Sequence, residues 1–469
     1  MEAIYESWLY NFLAGSLNNF AWLYVLLPCV FVGGLYFTVG TRAIQFGHFG
    51  YAMKNTVGKM FNKNEAGHGA VTPLQAVTTA LAATVGTGNI VGTSQAIAMG
   101  GYGAVFWLWL AAMLGMVIKY AEATLAVEYR ERNAHGDWVG GPMYYIQNGM
   151  GKKWKWLACT FAAVAAIACF GIGNMSQANA IVGSFNDTIS AFVPGFAGQT
   201  AVNWILGLTL AVTTALVLFG GIKRIGSVTE KLIPVMSLVY ILATLAVILG
   251  HIGNIGQAFG LIFRSAFTPQ AVLGAGSGIL LKNAVVWGLR RSAFSNEAGL
   301  GSAPIAHAAA ECEGSVQQGL YGIFEVFMDT LVICTLTALT IIVSGVDIEF
   351  GVKPGSSLIT AAFSTVLGGK LAALFVAVCL MLFAYSTILG WSLYGTRCVE
   401  YLFGIKASKV YQVLFIVVIV VGSVSSLDFV WDIADTFNGL MAIPNFIALF
   451  ALSPKVFKLT RDYFAGVKK

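Results

Sequence analysis

Residues 84–94 read TVGTGNIVGTS, and this short stretch decides the fold. It lies between two apolar runs, yet four of its eleven residues are glycine or asparagine. An unpaired backbone N–H or C=O costs several kcal/mol in hydrocarbon, so non-helical backbone cannot face lipid. The stretch therefore predicts a membrane helix that is interrupted midway and buried against protein or a watery cavity.

A second stretch, SAFSNEAGLGSAP at residues 292–304, has the same character. Gly299, Gly301 and Pro304 surround Asn296 and Glu297. At each interruption, free N–H groups at a half-helix start suit an anion, and free carbonyls at the preceding half-helix end suit a cation. A ligand that carries both charges, such as an amino acid zwitterion, fits a site between two such interruptions.

Two other interpretations of the glycines were considered. Gly88 and Gly92 have the spacing at which small residues let membrane helices approach closely. The letters GTGNIVG also resemble a dinucleotide-binding motif, but the third spacing is wrong and no strand precedes them. Close packing remains an alternative for either stretch alone, and is weaker for both together.

The composition is that of a polytopic membrane protein. The chain has 469 residues, 57% hydrophobic and 10% charged, with a mean hydropathy of +0.77. Soluble proteins have about 25% charged residues. Apolar runs recur along the whole chain, which predicts one all-α membrane domain over residues 1–469, with the seven cysteines as packing residues.

Apolar runs separated by glycine, proline and charge predict about eleven transmembrane helices. Continuous apolar runs, without alternation, argue against a β-barrel. The predicted spans are 19–41, 73–98, 104–128, 155–182, 200–220, 228–250, 277–308, 314–344, 370–402, 409–427 and 430–453.

Basic residues predict the orientation in the cell membrane. One set of loops, together with the C-terminal tail, carries 20 lysines and arginines, and the opposite loops carry only Arg264, Lys353 and Lys370. The positive-inside rule then places the N-terminus outside and the C-terminus in the cytoplasm. The net charge of +6 is explained by this topology, so we expect lipid and no nucleic acid as a partner.

The two interruptions open two sets of five helices that run in opposite directions. The first repeat covers 73–250 and the second 277–453, with an extra helix and basic loop in 1–72 and a basic tail in 454–469. This 5+5 inverted repeat is the pattern of a secondary transporter, whose site lies at mid-membrane between the broken helices.

The longer motifs ATVGTGNIVGTSQAIAMGGYGAVFW and SNEAGLGSAPIAHA resemble the alanine/glycine:cation symporter family over nearly the whole chain. Members of that family have the LeuT-type fold. The resemblance implies a symporter, not an enzyme, that imports small neutral amino acids with sodium as coupling ion and no other cofactor.

The resemblance also implies a substrate site. The amides of Thr87 and Gly88 are expected to bind the carboxylate, and the carbonyls of Phe294 and Ser295 the ammonium. Trp391 would fill the pocket and leave room for little more than a methyl group, unless it belongs to an interfacial belt. Three residues at helical spacing are expected to close the pocket: Phe170, Asn174 and Gln177.

Two sodium sites follow from the same resemblance. The second uses the Ser386 and Thr387 hydroxyls, unless these only bond to their own helix, with the Ala82, Val85 and Phe383 carbonyls. The first is expected to use Thr84, Asn89, Ser295 and Asp329. Asp329 and Glu297 stand where the family pattern leads us to expect neutral side chains, and Glu297 is interpreted as a lock on the unwound segment.

The nearest alternative is a proton-coupled transporter of the same fold. It requires a titrating group in place of the Ser386 and Thr387 oxygens, and the sequence offers none there. Other charges within predicted spans, such as Lys119, Glu122 and Glu325, are functional candidates because they are costly in hydrocarbon. The sequence leaves the oligomeric state open, a monomer included.

Overall fold

The computed structural model describes residues 8–59, 71–267, 281–425 and 427–466. Three groups of predicted features lie outside these ranges: part of the basic loop with Lys63, the start of the seventh predicted span at 277–280, and the last two lysines. The described chain is almost entirely helical. Its one sheet is a hairpin in which Glu131–Arg132 pairs antiparallel with Trp138–Val139.

Eighteen helices of four residues or more are numbered here in chain order within the described ranges. They are α1 Asn11–Gly40, α2 Ile44–Gly47, α3 Phe49–Thr56, α4 Pro73–Thr84, α5 Thr93–Gly100, α6 Ala104–Glu128, α7 Pro142–Tyr145, α8 Lys152–Phe192, α9 Gln199–Leu218, α10 Gly221–Gly250, α11 Ile255–Phe267, α12 Leu281–Asn296, α13 Pro304–His307, α14 Ser315–Ser344, α15 Ser357–Leu367, α16 Gly369–Phe403, α17 Ile405–Val424 and α18 Leu427–Gly466.

Nine of the helices in the described part of the chain are long and apolar enough to cross a membrane. They are α1, α6, α8, α9, α10, α14, α16, α17 and α18. Large apolar side chains such as Ile205, Leu216 and Leu242 are exposed on α9 and α10. Exposed apolar surface of this extent belongs in lipid, and the chain is a multi-pass membrane protein.

The first interruption lies between α4 and α5. Helix α4 begins with a capping box, in which the Thr72 hydroxyl and the Gln75 backbone N–H are paired, and it ends at Thr84. Val85 and Gly86 leave the helical conformation, and Gly88–Gly92 forms a wide π-turn before α5. A Cβ on Gly86 would overlap the Thr387 hydroxyl, so only glycine allows this close approach to α16.

The second interruption lies between α12 and α13, over residues 297–303. Glu297, Gly299 and Gly301 all have positive φ angles, of 57°, 89° and 80°. A glutamate in this conformation is strained. Both predicted interruptions are therefore present.

Within the described residues, π-turns also widen three of the long helices: α1 at Asn11–Leu17 and Phe20–Leu26, α8 at Gly171–Met175 and α14 at Phe327–Cys334. A π-turn contains one more residue per turn than an α-helix, so the faces of the helix before and after it are rotated relative to each other.

The additional N-terminal helix α1 packs on α6 and α18. A Cβ on Gly33 would lie 3.1 Å from Phe446 in α18, and a Cβ on Gly34 would overlap Leu114 in α6. These two glycines therefore mark a close contact between the helices. Helix α1 thus covers one side of the second interruption, where Gly299 also lies against Val30 and Phe446.

Candidate functional site

A small cavity lies between the two interruptions. It has about 10 Å³ of space for the centre of a water molecule, about enough for one water. The lining residues come from α4, the first interruption, α8, α12 and α16: Ala83, Thr84, Gly86, Thr87, Gly88, Ile172, Gln177, Phe294, Glu297, Thr387 and Trp391.

Two polar atoms in the cavity wall are buried without a hydrogen-bond partner among the described residues. They are the Thr87 hydroxyl oxygen and the Gln177 amide oxygen. The Gln177 amide nitrogen donates to the Ile172 carbonyl at 2.9 Å, which holds the amide oxygen in place. Buried polar atoms almost always have partners, so the pair indicates a site for a polar ligand.

Trp391 fills one wall of the cavity and is only 2% exposed. A Cβ on Gly173 would overlap the indole, which shows how closely α8 and α16 approach. Tyr394 packs edge to face against the indole at 5.6 Å between ring centroids. The indole is therefore held in place, and it occupies one side of the small cavity.

The structure does not bring Phe170 and Asn174 to the cavity with Gln177. The Phe170 ring packs on Tyr411 at 4.7 Å between centroids, and the Asn174 amide donates to the Phe415 carbonyl at 2.7 Å. The expectation of one shared helical face assumed α-helical spacing. The π-turn Gly171–Met175 changes that spacing, and Phe170 and Asn174 contact α17 instead.

Asp329 lies at the centre of a buried polar cluster. Its carboxylate accepts hydrogen bonds from the Asn89 amide at 2.7 Å, the Ser295 hydroxyl at 2.9 Å and the Thr330 hydroxyl at 2.7 Å. The structure thus joins three of the four residues expected at the first sodium site. The Thr84 hydroxyl bonds to Ala80 and Leu81 in its own helix.

The hydroxyls of α16 form a second cluster beside the first interruption. Ser386 donates to the Phe383 carbonyl at 2.8 Å and lies 3.4 Å from the Val85 carbonyl. Thr387 also donates to Phe383, at 3.1 Å. Both hydroxyls bond to their own helix, and Ser386 also reaches the first interruption at Val85. No hydrogen bond joins Ala82 to these hydroxyls within the described residues.

Glu122 holds the second interruption in shape, a role that the sequence did not reveal. One of its carboxylate oxygens accepts the backbone N–H groups of Gly299 and Gly301, each at 3.1 Å, and the Asn445 amide at 2.6 Å. Glu297 accepts the Ser302 hydroxyl within the same segment. A charged residue inside a predicted span marked Glu122 as a functional candidate. Its partners could not be predicted, because they are distant in sequence.

A buried ion network continues from the second interruption. Lys119 pairs with Glu325 at 3.2 Å, and His307 lies 2.8 Å from the other Glu325 oxygen. The Gln318 amide lies 2.8 Å from the second ring nitrogen of His307. This network ties α6, α13 and α14 together.

Solved structures with the same fold are membrane transporters. MhsT in complex with L-phenylalanine has a TM-score of 0.57 at 13% identity, covering 84% of this chain and 99% of that one. Mhp1, a nucleobase-cation-symport-1 family transporter, has a TM-score of 0.51 at 14% identity, covering 86% and 81%. At these identities the likeness shows the fold alone.

Two curated relatives match almost the full length. The sodium/alanine symporter AgcS of Methanococcus maripaludis is 41% identical over 455 residues, which cover 96% of each chain. The amino-acid carrier protein AlsT of Bacillus subtilis is 37% identical over 460 residues, covering 97% of this chain and 92% of AlsT.

The fold and the cavity between two broken helices define a membrane transport protein, not an enzyme. The model of the sodium:alanine symporter family matches residues 7–469. The chain belongs to this family.

Proposed function

We propose that the chain is a sodium-coupled symporter that imports alanine and glycine by alternating access. The observation that carries this proposal is the small cavity between the two interruptions, with two unpartnered polar atoms on one side and the Trp391 indole on the other. A methyl group or a hydrogen is the side chain that fits such a space. The relatives named alanine symporter and amino-acid carrier support this substrate class.

The substrate is held by backbone groups released at the interruptions. The amides of Thr87 and Gly88 bind the carboxylate, and the carbonyls of Phe294 and Ser295 bind the ammonium. The Gln177 amide oxygen accepts a further hydrogen bond from the ammonium, and the Thr87 hydroxyl donates to the carboxylate. These two contacts would satisfy the buried atoms that lack partners.

Sodium occupies two sites of oxygen ligands, the kind that a hard cation prefers. Asn89, Ser295 and Asp329 provide the first, with the Thr84 carbonyl, and the Asp329 carboxylate supplies its negative charge. Four residues already within reach of one another provide the second, with the Ala82 carbonyl: Val85, Phe383, Ser386 and Thr387. Because the substrate carboxylate lies beside the first site, each ligand raises the affinity for the other.

The two broken helices cross the membrane together with the nine long ones, which gives eleven spans. The helices from 73–250 and from 277–453 form the two inverted repeats, each opened by its interruption. The basic loops place the C-terminus in the cytoplasm. The cavity as described is smaller than alanine, so one half of the core must move against the other to admit substrate.

The test is uptake of labelled alanine into proteoliposomes that contain the purified chain. We expect uptake under an inward sodium gradient and none under a proton gradient alone, with glycine competing and leucine not. A curated relative, the Bacillus subtilis protein YrbD, is described as a putative sodium/proton-dependent alanine carrier. Uptake that follows the proton gradient and ignores sodium would overturn the sodium mechanism in favour of proton coupling.

A further inference from the structure

A second cavity, larger than the first, lies beside the N-terminal part of α1. Its volume is about 320 Å³, within the range of pockets that bind small molecules. Arg291 lines this cavity, and its guanidinium carbon lies 5.3 Å from the centre of the Phe294 ring, which lines the first cavity. The two cavities are therefore neighbours, separated by these side chains.

Arg291 is a buried cation, 6% exposed, that forms no ion pair of its own among the described residues, because Asp435, the carboxylate that acts on it, already pairs with Arg290. The Arg291 Nε atom is buried without a hydrogen-bond partner in the described part of the chain. It contacts the Trp287 and Phe294 rings instead. A charge buried in this way is costly unless it is paired, so the position calls for an anionic group from a ligand.

Asp435 supplies the opposite charge in the same cavity. One of its carboxylate oxygens pairs with Arg290, which is also held by the Asn18 amide oxygen at 2.7 Å. The other oxygen is buried without a hydrogen-bond partner among the described residues, although it belongs to a wall of the cavity. The Asp435 oxygen is therefore positioned to accept from a ligand.

We propose that this cavity is an outer subsite for a zwitterionic amino acid on its way to the first cavity. Arg291 binds the carboxylate and the unpartnered oxygen of Asp435 accepts from the ammonium. A halide or phosphate would satisfy Arg291 alone and leave Asp435 unpaired, so the pair of unmatched groups favours a ligand with both charges. The identity of this ligand as transported substrate rests on the proposed function.

The outer subsite has none of the sodium ligands proposed for the inner site, so its binding should not require sodium. The experiment is equilibrium dialysis of labelled alanine against the purified full-length chain in choline chloride. We expect one alanine per chain without sodium and two with sodium. Without sodium, Arg291→Gln should lower the affinity for alanine by about tenfold or more, which is the loss expected for a hydrogen bond to a charged group. With sodium, this variant should still bind the alanine molecule of the inner site.

Matched variants separate the subsite from a general effect. Lys282→Gln removes an exposed cation of α12 that does not line this cavity, and this variant should bind as the wild type does. Arg291→Lys keeps the charge and should restore part of the binding. Sodium-dependent binding that persists in Arg291→Gln shows that this variant is folded. If Arg291→Gln loses the sodium-dependent binding as well, Arg291→Lys is tested in its place. Failure of both variants to bind alanine in sodium overturns the separate subsite.

Three further results would overturn the proposal. One is the absence of sodium-independent binding by the wild type at millimolar alanine. Another is an Arg291→Gln variant whose sodium-independent affinity equals that of the wild type. The third is alanine binding that increases when gluconate replaces chloride, since this would identify chloride as the occupant. Failure of the proposed function is a different result, namely no sodium-driven uptake in proteoliposomes, and it leaves the dialysis outcome intact.

Discussion

At the scale of single residues, Trp391 is the proposed limit on the size of ligand that the inner cavity accepts. The indole is buried, lies against Gly173 and packs on Tyr394. A curated relative is described as a probable sodium/glutamine symporter, at 34% identity, so the family name alone does not fix the substrate. We propose that the volume of the side chain at residue 391 is the physical feature that fixes it.

We predict that Trp391→Ala admits larger neutral amino acids. Removal of the indole opens space beside the substrate methyl group, so valine and leucine should compete with labelled alanine for uptake. Trp391→Phe should give an intermediate selectivity, because its ring is smaller. Competition assays in proteoliposomes measure both. Unchanged selectivity in Trp391→Ala would exclude this residue as the determinant of size.

The hydroxyls of α16 allow a second prediction with a matched control. Thr387→Val removes a proposed sodium ligand and should raise the sodium concentration for half-maximal uptake by about tenfold, the effect of losing one hydrogen-bond-strength contact to a charge. Thr396→Val removes a threonine hydroxyl that also bonds to its own helix, at 2.6 Å to Ser392.

This control should leave the sodium dependence unchanged, because Thr396 does not line the inner cavity. Sodium titration of alanine uptake distinguishes the two variants. Equal sodium dependence in both would indicate that Thr387 has only the helix-bonding role.

The structure brings sequence-predicted residues together where their positions depend on the interruptions themselves, and their role in binding sodium stays a prediction. Asn89 and Ser295 lie in or beside the interruptions, and both contact Asp329 as their proximity in the expected fold implied. Prediction of a shared face failed for Phe170 and Asn174, since a π-turn is not visible in the spacing of apolar residues. The Glu122 to Asn445 contact joins residues 323 positions apart and has no local signal.

At the scale of elements, the second interruption is stabilised by groups that come from outside it. Glu122 of α6 and Asn445 of α18 satisfy the backbone that the unwound segment exposes. An unsatisfied buried N–H costs about 1–3 kcal/mol. The backbone conformation of the interruption is therefore fixed by hydrogen bonds from two neighbouring helices.

We predict that Gly301→Ala destabilises the chain more than Gly345→Ala. Both glycines have positive φ angles, of 80° and 68°, so alanine adds about 1–2 kcal/mol of backbone strain at each. A Cβ on Gly301 would also lie 2.6 Å from Pro142 and 3.0 Å from Asn445, whereas one on Gly345 meets nothing within 4 Å. Thermal unfolding in detergent should show the larger loss for Gly301→Ala, and equal losses would contradict the overlap.

Most helix positions followed from apolar runs and their punctuation. The span 104–128 coincides with α6, and 200–220 is within two residues of α9. Five described helices between predicted spans were missed because they are too short to cross a membrane: α2, α3, α7, α11 and α15. The interruption predicted at 292–304 begins only at Glu297, since Ser292 to Asn296 remain helical.

At the scale of the whole molecule, the distribution of basic residues predicts which face of the protein is cytoplasmic. Arg397 and Glu400 at the end of α16 pair with each other, and Arg397 also reaches Asp137 beside the hairpin. These residues lie on the side that the basic loops assign to the cytoplasm. In this proposed orientation, the larger cavity with Arg291 faces outward.

We predict that a green fluorescent protein fused after Lys469 fluoresces in a bacterial host, because that protein folds in the cytoplasm. Alkaline phosphatase fused at His251, in the connection between α10 and α11, should be active because this loop lies outside. Cell fluorescence and phosphatase assays give the two readouts. The reverse pattern would invert the assigned orientation, and the cavity with Arg291 would then face the cytoplasm.

The π-turn Gly171–Met175 has a consequence for how this pocket can change over generations. Deleting one residue there would restore a regular α-helix, and the part of α8 that follows would rotate by about 100° about the helix axis. Gln177 would leave the cavity and a neighbouring side chain would take its place. A single lost codon, with no substitution anywhere in the lining, could thus give a descendant a different ligand preference.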